Sequence, residues 1–310
     1  MQTELNRSYS HPGRIWPVLV LAGIAIACSS EGEGAAQSDS PRDEESSIDP
    51  EEYLRAEREA ITSDTGIPVS ISNPEETVNP AAAAVIPHGA CLDGITNFSS
   101  AGPFAVSTQR SGPVNFYVPG VPSGCKVPVV HLANGTGATC ATYGATLRRL
   151  ASHGFLAACY ESTNTGAGDQ GLEALDRALS AFPNLADNKF GSTGHSQGGQ
   201  AAFTVLALAE KKYGERFIYA GLAMQPASGF GAQPRGTTWR ALYGSIRSPM
   251  FMFSGLGSDG LVSQSWVQSA YNATNAQEEA YFWAKSGSRH IPVPNSETQQ
   301  VAVPWFRWKL

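Results

Sequence analysis

The stretch Ser192-Thr193-Gly194-His195-Ser196-Gln197-Gly198-Gly199 sets Gly-x-Ser-x-Gly between a strand-like run and the helical pattern Gln200 to Ala209, which Gly214 closes. A serine at the apex of such a turn sits on strained backbone. The flanking chains pass too close there for a Cβ, so glycine is needed two residues before it and two after. Gly194 and Gly198 meet that need. A glycine-rich turn with a bystander serine is the alternative, but the strand and helix on either side are what the motif demands, and Ser196 is the candidate nucleophile.

An alcohol is a weak nucleophile at neutral pH and needs a histidine to take its proton and an acid to orient that histidine. With an elbow of this kind the chain order is serine, acid, histidine. Downstream of Ser196 there is one aspartate, Asp259, and one histidine, His290. Asp259 follows the apolar run Pro249 to Phe253, and His290 follows Ala280 to Ala284, so each is expected in a loop beyond a strand's carboxyl end, where the sites of open α/β sheets gather. Glu210, Glu215, Glu278 and Glu279 read as solvated charges. His195, adjacent to the nucleophile, is expected to pack beside the site, and His88, His131 and His153 read as local hydrogen-bonding groups. The oxyanion of an acyl intermediate calls for the backbone N–H of Gln197 and one from the loop Asn134 to Ala138, with Thr136 the candidate donor. Gly135 and Gly137 in that loop are also readable as plain turn glycines. A dinucleotide fingerprint is excluded, because no third glycine opens the next helix.

Strands are expected near Phe104 to Thr108, Val114 to Val118, Val127 to Leu132, Leu156 to Tyr160, Phe190 to Thr193, Ile218 to Ala223, Met250 to Ser254 and Tyr281 to Ala284. Helices are expected over Thr142 to Ser152, Asp169 to Phe182, the segment after the elbow, and Ser263 to Ala273. This alternation predicts an α/β fold with a mainly parallel sheet covered on both faces, with no separate lid and an open groove. Val303 to Leu310 reads as a final aromatic helix that stops abruptly, as a truncated or unusually short terminus would. Scattered histidines and the lack of Cys-x-x-Cys or His-x-x-x-His predict neither metal nor cofactor.

Ile15 to Ala27 is an apolar run after Arg7 and Arg14, too short to span a bilayer as a helix and of the size of a signal-peptide core. Residues 1–27 are therefore read as an export signal. Ala25-Ile26-Ala27 stands directly before Cys28, where a bacterial lipoprotein carries its acylated cysteine, although the usual leucine three residues before it is missing. Residues 28–81 read as an acidic, mostly disordered tether, with a short helix expected over Asp49 to Ala60. The chain's net charge of −6 misleads, since Cys28 to Asp64 holds twelve acidic and three basic residues, net −9, while Thr65 to Leu310 is net +2. The region 82–310, expected to be the catalytic domain, is thus nearly neutral and has no basic stripe for nucleic acid. Setting Cys28 aside leaves Cys91, Cys125, Cys140 and Cys159, an even number suited to an oxidising compartment. Of their three pairings we favour Cys91 with Cys125 and Cys140 with Cys159.

From Ala101 onward the chain resembles the secreted α/β-hydrolases that include bacterial cutinases and polyester hydrolases, with chlorophyllase-like and dienelactone-hydrolase-like proteins as wider relatives. The resemblance rests on Gly102 to Val106, Val129 to Ala138, Leu150-Ala151-Ser152-His153-Gly154-Phe155, Asp169-Gln170, the elbow, Asp259 and His290. It implies an α/β-hydrolase fold and ester hydrolysis with Ser196, Asp259 and His290 as triad and Thr136 and Gln197 as oxyanion donors. The polyester hydrolases usually carry an aromatic residue at the position of Thr136 and methionine at that of Gln197, and a C-terminal disulfide that this chain, with no cysteine after Cys159, lacks. These departures weigh against an aromatic polyester. Tyr143, Phe230, Trp239 and Trp266 are candidate groove residues, of which Tyr143 and Phe230 are the substrate-binding candidates. The expected partner is an ester, polymeric or not, and the expected form is an exported monomer, lipid-anchored or free. A polysaccharide deacetylase of the acetyl-xylan esterase kind and a surface lipoprotein that only binds are the competing readings.

Overall fold

The computed structural model describes residues 91–310 except 93–94, 96, 99, 164, 166, 228–237, 257–258, 260, 275–279, 287–289 and 291–295; of 256, 284–286 and 296–300 only the backbone is described. The export signal, Cys28, the tether with its short helix, His88 and Phe230 lie outside these residues.

Eight strands form one sheet: β1 (Val106–Ser111), β2 (Val114–Pro119), β3 (Val127–Ala133), β4 (Leu156–Tyr160), β5 (Ala186–His195), β6 (Ile218–Met224), β7 (Met250–Leu256) and β8 (Ala280–Ser286). Their spatial order is β1-β2-β4-β3-β5-β6-β7-β8. The β1–β2 and β2–β4 pairs are antiparallel, and every pair from β4 across to β8 is parallel. Among the described residues six α-helices accompany it: α1 (Gly144–Ser152), α2 (Asp169–Ala181), α3 (Gln197–Tyr213), α4 (Trp239–Ser245), α5 (Gln264–Asn272) and α6 (Ser296–Lys309). This is the expected α/β architecture with a mostly parallel sheet.

Strand periodicity of two assigns each residue to one of two cores. On β3, Val127 and Val129 join the core under α2, α3, α4 and α5, whereas Val130 and Leu132 join the one under α1 and α6. On β4, Leu156 and Ala158 face the first, and Ala157 and Cys159 the second. β3 is buried at all seven positions, which explains its unbroken apolar run. His131 shares that burial but has no hydrogen-bond partner for either ring nitrogen among the described residues, so its reading as a hydrogen-bonding group is corrected. A Cβ on Gly171 of α2 would fall 2.7 Å from its Cε1, so the helix reaches the ring only because glycine is there. His153 does bond as expected, through Nε2 to the carbonyl of Ser100 at 3.0 Å.

Both favoured disulfides are present, Cys91–Cys125 and Cys140–Cys159. The second joins the 3-10 turn Cys140–Tyr143, which follows the loop after β3, to β4. That turn replaces the first residues of the helix expected from Thr142. The solvated reading of Glu210 is also corrected, because its carboxylate accepts from Arg247 N at 3.3 Å, from Ser248 N at 3.1 Å and from the Ser248 hydroxyl. It thereby ties the end of α3 to the start of β7. Among the described residues no helix is long and apolar enough to cross a membrane.

Candidate active site

Successive strands are added outward in one direction from β3 to β4 and in the other from β3 to β5, so the sheet's switch point lies between β3 and β5. Crossover helices diverge there and leave a crevice beyond the strands' carboxyl ends. The loop Asn134 to Ala138 leaves β3 at that edge, and Ser196 leaves β5 beside it.

Ser196 has φ 56° and ψ −123°, one of two described non-glycine residues with positive φ. Such a conformation costs about 1–3 kcal/mol and persists only where its surroundings overdetermine it. Here Ser196 N donates to Met224 O at 3.0 Å, while Ser196 O accepts from Gly199 N, Gln200 N and Ala227 N at 2.8, 3.2 and 3.0 Å. The glycine requirement is steric: a Cβ on Gly194 would stand 2.1 Å from Gly198 O, and one on Gly198 2.1 Å from Ala133 O.

Three side chains far apart in sequence meet in series. Ser196 Oγ donates to His290 Nε2 at 3.0 Å, and His290 Nδ1 faces Asp259 Oδ2 at 3.0 Å. The other oxygen, Asp259 Oδ1, accepts from Leu261 N and Val262 N, both at 2.9 Å, which fixes the carboxylate's plane. Burial pushes the Asp259 carboxyl up, but the hydrogen bond and charge of His290 and the two backbone donors outweigh it and hold the group below its ordinary range. Asp259 is therefore an anion at neutral pH. An ionised carboxylate accepts only, so His290 Nδ1 carries a proton and Nε2 is left basic toward the serine.

The loop after β3 is held from several sides. Asn134 Nδ2 donates to the carbonyls of Gly135, Ala138 and Ser162 at 3.3, 2.8 and 2.5 Å. Thr165 Oγ1 donates to Asn134 O at 2.8 Å, and Thr165 N donates to Gln197 Oε1 at 3.3 Å. Thr136 and Gln197 are both buried. Gln197 opens α3, so its N–H is among those with no acceptor inside the helix and lies at the positive end of the dipole.

Tyr143, a substrate-binding candidate, is 2% exposed, and its hydroxyl accepts from Gly135 N of the loop after β3 at 2.9 Å. Trp239 packs on Tyr243 with ring centroids 5.6 Å apart, and Trp266 packs against the core under α5. Sequence reasoning did not find Asn134 and Thr165, which shape the loop; the only signal was an Asn at a strand's end. Among the described residues no cluster of His, Cys, Asp and Glu is suited to a metal ion. No protein-family model matches the chain, and no curated protein matches it.

Proposed function

We propose that this chain is a serine carboxylic-ester hydrolase working through an acyl-enzyme. The observation that carries the reading is the unbroken series from Ser196 Oγ through His290 to Asp259, with 3.0 Å at each step. Ser196 Oγ attacks the ester carbonyl as its proton passes to His290 Nε2. The imidazolium so formed is stabilised by Asp259 and gives the proton to the departing alcohol. Water then attacks the acyl-serine with His290 again as base, and releases the acid. The backbone N–H groups of Thr136 and Gln197 hold the carbonyl oxygen as it becomes an anion.

The α/β-hydrolase fold and kinship with the secreted polyester hydrolases belong to the same proposal. They are supported by a second strand antiparallel to the rest, a nucleophile after the fifth strand, an acid after the seventh and a histidine after the eighth. Neither Thr136 nor Gln197 offers an aromatic clamp, and the Gln197 amide is engaged with Thr165, which favours esters with an aliphatic acyl part. Export with a lipid on Cys28 is supported by the apolar leader and by the pairing of the four remaining cysteines, which suits an oxidising compartment.

A fluorophosphonate probe tests the core of the reading. Wild-type protein should be labelled at Ser196 and hydrolyse a short-chain p-nitrophenyl ester, and Ser196→Ala should lose both; esterase activity retained in full by Ser196→Ala would refute the assignment. A protein that only binds would not label. Parallel assays on aliphatic polyester film and acetylated xylan separate polyester from polysaccharide substrates.

A further inference from the structure

Two polar side chains outside the triad connect its base to the loop that carries Thr136. His195 is the last residue of β5, it is 4% exposed, and its ring centroid lies 4.7 Å from that of His290. Its Nε2 is 2.5 Å from the backbone carbonyl oxygen of His290, and its Nδ1 is 3.3 Å from the Tyr143 hydroxyl. That hydroxyl in turn accepts from Gly135 N at 2.9 Å, one residue before Thr136.

With the His195 ring neutral, the direction of every bond in this series follows. A carbonyl oxygen only accepts, so His195 Nε2 carries the proton. In a neutral ring Nδ1 is then the acceptor, and the Tyr143 hydroxyl must be its donor. The phenolic oxygen keeps lone pairs for Gly135 N–H. Donation runs one way throughout, from Gly135 N–H to Tyr143, from Tyr143 O–H to His195, and from His195 Nε2–H to the carbonyl of His290. Chains of this polarity reinforce one another in a low-dielectric interior.

We propose that His195 and Tyr143 are positioning residues which fix the separation between the catalytic base and the oxyanion loop, a role that rests on the ester-hydrolase reading. The triad bonds restrain only the two nitrogens of the His290 ring, and the ring can pivot about them. The bond from His195 restrains the main chain from which the ring hangs. Tyr143 applies the same restraint to the loop at Gly135, so that base and oxyanion donors are referenced to one fixed ring on β5. An error of about 1 Å in such a geometry can cost on the order of 100-fold in rate.

The test uses Tyr143→Phe, His195→Phe and His195→Gln, reading the rate of fluorophosphonate labelling at Ser196, kcat and KM for p-nitrophenyl butyrate, and Tm. Tyr143→Phe and His195→Phe should slow labelling and lower kcat by about ten-fold or more with KM within about two-fold of wild type. The glutamine amide supplies an NH2 donor group and an oxygen acceptor, so His195→Gln should recover labelling to within about three-fold of wild type even where its Tm falls as far as that of His195→Phe. Wild-type labelling rates in both phenylalanine variants, or a His195→Gln variant no faster than His195→Phe, would overturn the proposal. Should His195→Phe fail to fold, Tyr143→Phe decides alone, since it removes a single oxygen and keeps the ring. A wild-type protein that does not label at all overturns the hydrolase reading itself, and a wild type that labels while the variants match it overturns only the positioning role.

Discussion

His131 gives the protein a calculable sensitivity to acid. It lies on β3 three residues before the loop at Asn134, packed under Gly171 and fully enclosed, and burial lowers its pKa from 6.5 to about 3. The depressed value belongs to the folded state, so the unfolded chain binds a proton first as pH falls. The stabilising contribution is complete above about pH 6.5 and is lost progressively from there down to about pH 3. At 1.36 kcal/mol per unit, moving from pH 7 to pH 5 removes about 2 kcal/mol. The perturbation that isolates this term is His131→Leu, which keeps a buried side chain of similar bulk and cannot titrate. Unfolding free energies from urea titration of the disulfide-intact wild type and variant at both pH values give the comparison. His153, lowered chiefly by burial to about 4, and all carboxylates contribute equally to both proteins and cancel. The variant should gain on wild type by about 2 kcal/mol between pH 7 and pH 5. Parallel pH dependences would refute the reasoning and mean that the folded state protonates His131 without penalty.

Asp259→Asn should leave the fold intact but reverse the tautomer it imposes on His290, lowering kcat by about 10,000-fold with thermal stability changed far less; a loss under ten-fold in steady-state hydrolysis would contradict the role. Replacing Cys140 and Cys159 together by serine opens a loop of separation 19 and should lower unfolding free energy by about 3 kcal/mol, measured in denaturant. Gly198→Ala puts a methyl 2.1 Å from Ala133 O, and the main chain must shift between nucleophile and oxyanion loop. Fluorophosphonate labelling should fall by at least about 100-fold, and a variant labelled normally would show that the elbow tolerates the displacement.

Legibility in the sequence followed the range of the interaction. The triad was readable because elimination did the work: after Ser196 the chain offers one aspartate and one histidine, each beyond an apolar run that proves to be β7 or β8. β5 was expected only from Phe190, yet it begins at Ala186. Asp187, Asn188 and Lys189 have weak strand preference, but ladder pairing at Val127 with Ala186 and at Lys189 with Ile218 extends it. α4 went unseen because only Leu242 and Tyr243 of its seven residues are buried, too few to show a period, although Thr238 Oγ1 caps it through Ala241 N. Tyr143 shows the limit most clearly. An aromatic ring with a polar tip suits a groove or a core equally, and its contact with His195, 52 residues away, leaves no trace in the local sequence.

The reactive groups of the crevice hang from separate parallel strands, at points where the chain has already left the two layered interiors. Those interiors combine residues that alternate along the strands with the inward faces of the helices. Exposed positions in the segments beyond β6 and β7 can therefore vary without disturbing either interior, whereas Ala227 and Val262, which follow those strands, are themselves core residues. A single scaffold of this kind can serve many chemically distinct clients, each admitted by a change at the rim.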